Sequence, residues 1–380
     1  MEPEIQPQQP ASPPVQPAPA PDSLALTPDP WETRAVRWIF LGRQGLRSGW
    51  SVLAFAVVFF FFIGIFGFIF LKLHLMDLKT DFTPHRALFS ELSSFLALMV
   101  TASIAALAER RRTLMAYYLR GPRGAFHFLG GLTAGFASLS ALVGAMTWGG
   151  WLHFGPAAIS GAAAARYGAL WGAAFLLVGC VEEGQFRCYF QFTLTRGINF
   201  WWAAGTVAAV CALVLAVPHN NGAAGVCILA LLGLGPCLLL HIKRVPDASF
   251  WQAAWVTSTI FGAVHTFNKG EGWVGIFAAA AIGTVFCVSI RLTGTAWWAI
   301  GCHAAWDWAQ TFFYGTADSG LQPEGHLFTT SPAGNPLWSG GSAGPEGSLL
   351  VLGAILFLLA LLLVFYGGRQ AAGTAAPAAG

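Results

Sequence analysis

Long apolar runs separated by short polar stretches form the dominant pattern of this chain. A bilayer core of about 30 Å requires about 20 apolar residues per helix. Ten runs approach that length, and we predict a membrane-spanning helix for each. They lie near residues 50–71, 87–108, 128–151, 168–193, 200–217, 223–241, 250–267, 273–290, 295–314 and 348–366. The predicted fold class is therefore all-α, a polytopic transmembrane helical bundle of roughly ten spans.

The segments around these runs suggest four regions. Residues 1–30 are rich in Pro and Ala, which predicts a disordered tail. Residues 31–160 hold a basic, aromatic segment expected at the membrane interface, followed by the first three spans. Residues 161–315 form the central core. Residues 316–380 contain a loop rich in Gly, Ser and Pro, the last span and a short tail.

Composition supports a membrane protein and indicates its orientation. Hydrophobic residues make up 56% of the chain and charged residues 10%, whereas soluble domains carry about 25% charged residues. Placing the N-terminus in the cytoplasm puts most of the 20 Lys and Arg residues on the inner side. We therefore expect a multi-pass protein of the plasma (inner) membrane, with both termini cytoplasmic and the 315–347 loop outside. The scattered basic residues predict no nucleic-acid partner.

Ionisable residues inside predicted spans point to function, because a charge at bilayer depth costs about 2.5 kcal/mol or more. Those singled out by the pattern are Glu182, Glu183, Arg187, His265, His303 and Asp307.

In the stretch LLVGCVEEGQFRCYF, residues 176–190, helical spacing predicts a different role for each of the two glutamates. Residues four apart share a helix face, so Arg187 is expected to pair with Glu183. Glu182 is rotated by about 100° from that pair and has no cation three or four residues away. A buried carboxyl without a partner exchanges protons readily, which predicts that Glu182 is a general base. A purely structural ion-pair network explains Glu183 and Arg187 but leaves Glu182 unmatched.

The histidines lie on patterned faces of their own helices. Phe261 and His265 share one face, and His303 and Asp307 share another. Counted at about 1.5 Å per residue from the inner ends of the runs, Glu182 lies ~18 Å deep, His265 ~22 Å and His303 ~12 Å. We expect these groups to converge on one cavity able to bind a metal ion or activate water.

Three short motifs resemble those of a known family. The segments EEGQFR, FGAVH and HAAWD look like, in order, the EExxxR, FxxxH and HxxxN/D motifs of the CPBP intramembrane proteases, formerly called Abi, which include the type II CAAX prenyl proteases. The resemblance covers about residues 165–315, which makes 161–315 a CPBP-like catalytic core. The long interval between Glu182 and His265 predicts a two-helix insert near 200–241.

The resemblance implies a hydrolase that cuts peptide bonds within the membrane. It assigns Glu182 as the base that activates water, Glu183 and Arg187 as its supporting pair, and His265 and His303 as holders of water, a metal ion or the oxyanion. Asp307 is then a metal ligand, an orienter of His303 or a protonated donor. A divalent metal such as zinc, as in a metalloprotease, would be held by Glu182, His265, His303 and Asp307. The expected substrate is a membrane-associated protein, including lipidated, CAAX-type proteins.

Two other functions remain open from the sequence. A non-catalytic membrane binding or scaffold protein of the same fold, of the bacteriocin self-immunity or protein-maturation type, would also keep a polar site. A proton-coupled transporter would place Glu, Arg and His in the membrane, but its paired, broken helices are not seen. Retention of Glu182, which a scaffold does not need, favours the enzyme.

Overall fold

The computed structural model describes residues 31–42, 45–77, 81–110, 113–218, 220–268 and 270–367. The predicted disordered tail and the last residues of the chain lie outside this described part. The chain divides into two units, residues 1–45 and 46–380. The first contains helix α1 (Trp31–Phe40) and strand β1 (Leu41–Gly42). The membrane-interface position expected for α1 stays a prediction.

The second unit is built almost entirely from helices. Its elements are β2 (Gly45–Leu46, at the boundary), α2 (Ser48–Lys72), α3 (Pro84–Ala108), α4 (Gly124–Trp148), β3 (Leu152–Ala157), α5 (Gly161–Glu183), α6 (Gln191–Thr195), α7 (Phe200–Ala216), α8 (Ala223–Ile242), α9 (Ala248–His265), α10 (Trp273–Thr293), α11 (Trp297–Trp308), β4 (Phe328–Pro332), α12 (Pro336–Ser339) and α13 (Val351–Tyr366). Two π-helices, Gly184–Phe190 and Ala309–Phe313, continue α5 and α11. Helix covers all ten predicted runs, so the prediction of an all-α bundle is confirmed.

Most, but not all, of the ten helices have the length and composition of a membrane span. Within the described residues six qualify: α2, α3, α4, the continuous rod 161–195, α8 and α10, while α7 and α13 are apolar but shorter. The other two, α9 and α11, carry the histidines, and neighbouring helices bury most of their residues. Because protein surrounds α9, it accommodates polar residues such as Gln252 and Thr257.

Helix packing identifies the neighbours of the helix that carries the two glutamates. Helix α5, which ends in the glutamates, packs against α3 and α11. The helix pair in the region of the predicted insert, α7 and α8, packs against α9 and α10 instead. The main packing partners of the helix that ends in the glutamates are therefore α3 and α11.

Small residues allow α4 and α11 to approach closely. A Cβ atom on Gly131 or Gly135 would overlap the backbone of α11, and one on Gly301 would overlap the backbone of α4. Glycines spaced four residues apart are a common basis for close helix packing in membranes. The contact lies beside His303, so it sets the depth of that side chain relative to α4.

The long loop after α11 follows a defined path. Strand β4 from this loop pairs antiparallel with β3, with a β-bulge between Phe154 and Ala157. The amide of Gln310 donates a hydrogen bond to the Ala317 carbonyl at 2.9 Å, and the Ser348 hydroxyl donates to the Trp338 carbonyl at 2.7 Å. Side-chain hydrogen bonds thus stabilise a segment whose composition predicts only a loop.

We predict that Gly135→Ala lowers the free energy of unfolding by about 1–3 kcal/mol, because the added methyl group overpacks the contact with the α11 backbone. Gly144→Ala is the matched control, since no atom lies within 4 Å of a Cβ at that position of the same helix. Thermal unfolding of both purified variants measures the effect. Equal stability of the two would contradict the close-packing argument.

Candidate active site

The candidate site begins where the α-helix α5 continues as a π-helix. Glu182 and Glu183 end the α-helical part, and the π-helix that follows carries Arg187. A second π-helix begins two residues after Asp307 on α11. π-Turns inside α-helices occur frequently at functional sites, because the extra residue per turn changes the direction of side chains. Nothing in the local residue pattern predicts either one.

Glu183 and Arg187 form a fully buried ion pair. Arg187 Nε lies 3.3 Å from Glu183 Oε2, and both side chains have 0% exposure. The Arg187 guanidinium also lies over the rings of Phe261 at 4.7 Å and Phe186 at 5.8 Å. These rings offer the cation favourable electrostatic contact without water.

The same glutamate holds His303 of α11. His303 Nδ1 lies 2.9 Å from Glu183 Oε1, and since a carboxylate only accepts, Nδ1–H donates. The other ring nitrogen, Nε2, lies 3.8 Å from Glu182 Oε2 and 3.5 Å from Asp307 Oδ2. The imidazole is therefore oriented by Glu183, with Nε2 directed between two further carboxyl groups.

His265 is fixed by its own helix. Its Nδ1 donates to the backbone carbonyl of Phe261 at 2.7 Å, which leaves Nε2 as the nitrogen available to a ligand. The Phe261 ring lies 4.7 Å from the His265 ring and 6.3 Å from the His303 ring. Phe261 thus separates the two histidines and contacts Arg187 as well.

A cavity of about 80 Å³, partly open to the surroundings, adjoins both histidines. Polar residues His265, His303, Asp307, Glu271 and Glu346 line part of it. The rest of its wall is mainly apolar and comes from α10, α11 and α13. A cavity with one polar and one apolar side suits a ligand that carries both kinds of surface.

The structure brings most of the site residues named from the sequence into direct proximity. Those joined by the distances above are Glu182, Glu183, Arg187, Phe261, His303 and Asp307. His265 lies on the wall of the same cavity as His303. The roles assigned to these residues stay predictions. The sequence analysis did not anticipate that Glu183 contacts His303 as well as Arg187.

Metal binding by Glu182, His265, His303 and Asp307 stays a prediction. Among the described residues, no group of three or more His, Cys, Asp or Glu side chains is placed to hold a metal ion. The 3.5 and 3.8 Å separations around His303 Nε2 are those of neighbouring polar groups.

Glu91 of α3 was missed in the sequence analysis. It lies within the predicted run 87–108, so the rule for ionisable residues in spans should have selected it. In the structure it lies on α3, which packs against α5, the helix that ends in Glu182 and Glu183. A carboxyl group from outside the three motifs therefore lies on a helix next to that of the candidate base.

Three further carboxyl groups meet where loops close the cavity. Glu346 Oε1 accepts the backbone N–H of Ser319 at 2.6 Å, and Asp318 Oδ2 accepts the hydroxyl of Thr311 at 2.7 Å. Burial raises the pKa of Glu271, Asp318 and Glu346, and for Glu346 the nearby charge of Glu271 raises it further. The ordinary spacing rules for helices cannot find this cluster, because its members lie on three separate loops.

Comparison with known proteins gives one partial match. The family model described as Type II CAAX prenyl endopeptidase Rce1-like matches residues 237–309. This segment contains His265, His303 and Asp307, and it begins after the glutamates of α5. The match confirms the resemblance to the CPBP/CAAX protease family and supports a CAAX-type intramembrane protease as the kind of function. No curated protein and no solved structure matches the chain.

We predict that Glu183→Gln lowers the free energy of unfolding by about 3–5 kcal/mol, because it leaves the buried Arg187 cation uncompensated. Glu182→Gln is the matched control and is expected to cost much less, since Glu182 has no such ion pair with Arg187. The double variant Glu183→Gln/Arg187→Met should recover much of the loss. Thermal unfolding measures all three, and equal stability of the two single variants would contradict the assignment.

We predict that Glu346→Gln stabilises the protein at neutral pH but not near pH ~4. A carboxyl group whose pKa is raised in the folded state binds more protons there than in the unfolded state, so stability falls as pH rises above the ordinary pKa. Gln keeps an oxygen for the Ser319 N–H and cannot ionise. Thermal unfolding between pH ~4 and ~8 tests this, with Glu324→Gln, an exposed carboxyl, as the control. Parallel pH dependence of both variants would exclude the effect.

Proposed function

We propose, from the type II CAAX prenyl endopeptidase match and from the geometry around His303, that the chain is an intramembrane endopeptidase that cuts membrane-associated proteins, including lipidated ones. One observation carries the proposal. Glu182 Oε2 and His303 Nε2 face each other at 3.8 Å, while the other nitrogen of His303 is held by the buried Glu183. A carboxylate and an oriented imidazole are sufficient to activate water.

The separation of these two groups suits a bridging water molecule. Polar atoms farther apart than about 3.5 Å are commonly joined through water. In the proposed reaction Glu182 takes a proton from this water while the oxygen of the water attacks the scissile carbonyl carbon. Glu182 then passes the proton to the amide nitrogen, the C–N bond breaks, and the products are a carboxylic acid and an amine.

The remaining side chains stabilise the charge that develops in the reaction and hold the reacting groups in position. His303 Nε2 lies beside the reacting water, where an N–H would donate to it or to the developing oxyanion. Glu183 fixes the ring through Nδ1, and Arg187 neutralises Glu183 within the protein. His265 Nε2 provides a second imidazole on the wall of the cavity. Asp307 lies close enough to His303 Nε2 to influence its charge.

The cavity also indicates the kind of substrate. Its apolar wall includes Ile282 of α10 and Val351 and Leu358 of α13, which adjoin the polar side at His303. A peptide that is lipidated, or that enters from the membrane, would place apolar groups against this wall and its backbone near the polar side. We infer a protein of the plasma (inner) membrane, with both termini in the cytoplasm.

Proteolysis in reconstituted membranes tests the proposal. With a pooled library of lipidated and unlipidated membrane peptides as substrate, Glu182→Gln should reduce cleavage at least about a hundredfold, because the base is lost while the shape is kept. Glu324→Gln, an exposed carboxyl away from the site, should cleave as the wild type does. A chelator arm reports whether cleavage requires a metal ion.

The outcomes separate the two main functions. Cleavage that persists in Glu182→Gln would overturn the role of Glu182 as base. No cleavage of any peptide by correctly folded wild-type protein would favour a binding or scaffold protein of the same family, whose interactions should then be independent of Glu182.

A further inference from the structure

The connection between α4 and α5 and the second half of the loop after α11 form one layer at one end of the bundle. We call this layer, residues 148–160 and 326–345, the platform. Strand β3 from its first segment pairs with β4 from its second, and the N–H of Ala158 donates to the carbonyl of Leu327 at 2.9 Å. The second segment also contains α12. The two segments therefore form a single structural unit.

The platform has no charged side chain other than what a histidine can carry. Its 33 residues contain no Asp, Glu, Lys or Arg, although such residues make up 10% of the chain. More than half of these residues are nevertheless exposed. Surfaces that face water commonly carry roughly 25–35% charged residues. The composition of the platform is therefore atypical of a surface in contact with bulk water.

Tryptophan side chains gather in the platform where α4 ends. Trp148 is 93% exposed, and a Cβ atom on Gly149 would overlap the ring of Trp151. The Trp151 ring stacks on that of Trp338, with 5.2 Å between the ring centroids and 19° between the planes. Trp338 and its neighbour Leu337 are themselves exposed, at 38% and 42%. Indole rings at the end of a span are typical of the aromatic belt at a membrane–water interface.

The neighbouring helices place the platform at a membrane surface. α4 ends at Trp148, and the continuous rod 161–195 begins directly after the first segment of the platform. Both helices have the length and composition of a membrane span. A short connection between two spans has to lie where they leave the bilayer.

The backbone limits how deeply the platform can lie. β3 and β4 form a two-stranded sheet, so within the described residues each strand has one edge without a strand partner. Open sheet edges do not occur in the hydrocarbon region, because their N–H and C=O groups would lose hydrogen bonds with water. Exposed apolar patches, in turn, mark surfaces that bind a partner or a membrane. The headgroup region meets both requirements, since it hydrates the backbone and accepts indole rings.

We propose that the platform is a membrane-binding surface that lies in the headgroup region of the leaflet at which α4 ends. Trp148, Leu337 and Trp338 insert towards the acyl chains. The partner is the lipid bilayer itself, and a surface without Lys or Arg requires no anionic headgroup. The first half of the same loop, residues 316–325, contains Asp318 and Glu324 and is not part of this surface. The inference does not depend on proteolysis.

Photolabelling from the lipid side tests the proposal. The full chain is reconstituted in phosphatidylcholine vesicles that include a phosphatidylcholine with a diazirine in the upper part of one acyl chain. After illumination, peptide mass spectrometry identifies the modified residues. We expect label on Trp148 and on residues 335–340, several-fold above the label on residues 319–324 of the same loop. Equal labelling of these two loop segments overturns the proposal.

Two exposed leucines on this loop provide matched variants. Leu337 lies in the platform and is 42% exposed, whereas Leu321 lies in the first half of the loop and is 40% exposed. Leu337→Glu should reduce the label on residues 335–340 several-fold, because a carboxylate is unfavourable near the acyl chains and shifts the segment towards water. Leu321→Glu should leave that label at the wild-type level. An equal effect of the two substitutions would contradict the insertion of Leu337.

Hydroxyl-radical footprinting from the water side separates the remaining outcomes. Lipid label on Trp148 and Trp338, together with weaker oxidation than that of residues 319–324, supports the proposal. Strong oxidation of both tryptophans without lipid label would show that the platform faces water. Protection from both reagents would show that a protein partner or a second copy of the chain covers it. Either of these last two results overturns the proposal.

Discussion

The buried contact between Glu183 and Arg187 is the interaction on which the site depends. Both side chains are fully excluded from solvent, and charges in such surroundings persist only when they compensate one another. Glu183 also binds His303, and Arg187 lies over Phe261. One ion pair therefore connects α5 and its π-helix to α9 and α11, the two helices that carry the histidines.

The bundle accommodates this polar centre by shielding the helices that form it. α9 and α11 do not combine the length and the apolar composition of a membrane span, and their neighbours bury most of their residues. Close packing of α11 on α4, made possible by glycines such as Gly135, fixes the depth of His303. Helices long and apolar enough to cross a membrane then surround a core in which imidazole and carboxylate groups meet.

Acidic groups surround His303 on several sides and differ in their surroundings. Glu183 is neutralised by Arg187, and Glu182 faces Nε2 of the imidazole. Asp307 approaches the same nitrogen from within α11. Such different environments allow carboxyl groups of similar intrinsic acidity to take distinct roles.

The sequence by itself determined the ten helices, the ionisable residues within them and the family that the three motifs resemble. Apolar length and the spacing of residues on a helix are local properties, so they can be read without coordinates. Tertiary structure decided that His303 binds Glu183, because such a contact joins different helices and depends on how those helices pack. It also decided the two π-helices and the meeting of Glu271, Asp318 and Glu346, which follow from packing and loop paths rather than from any periodic pattern.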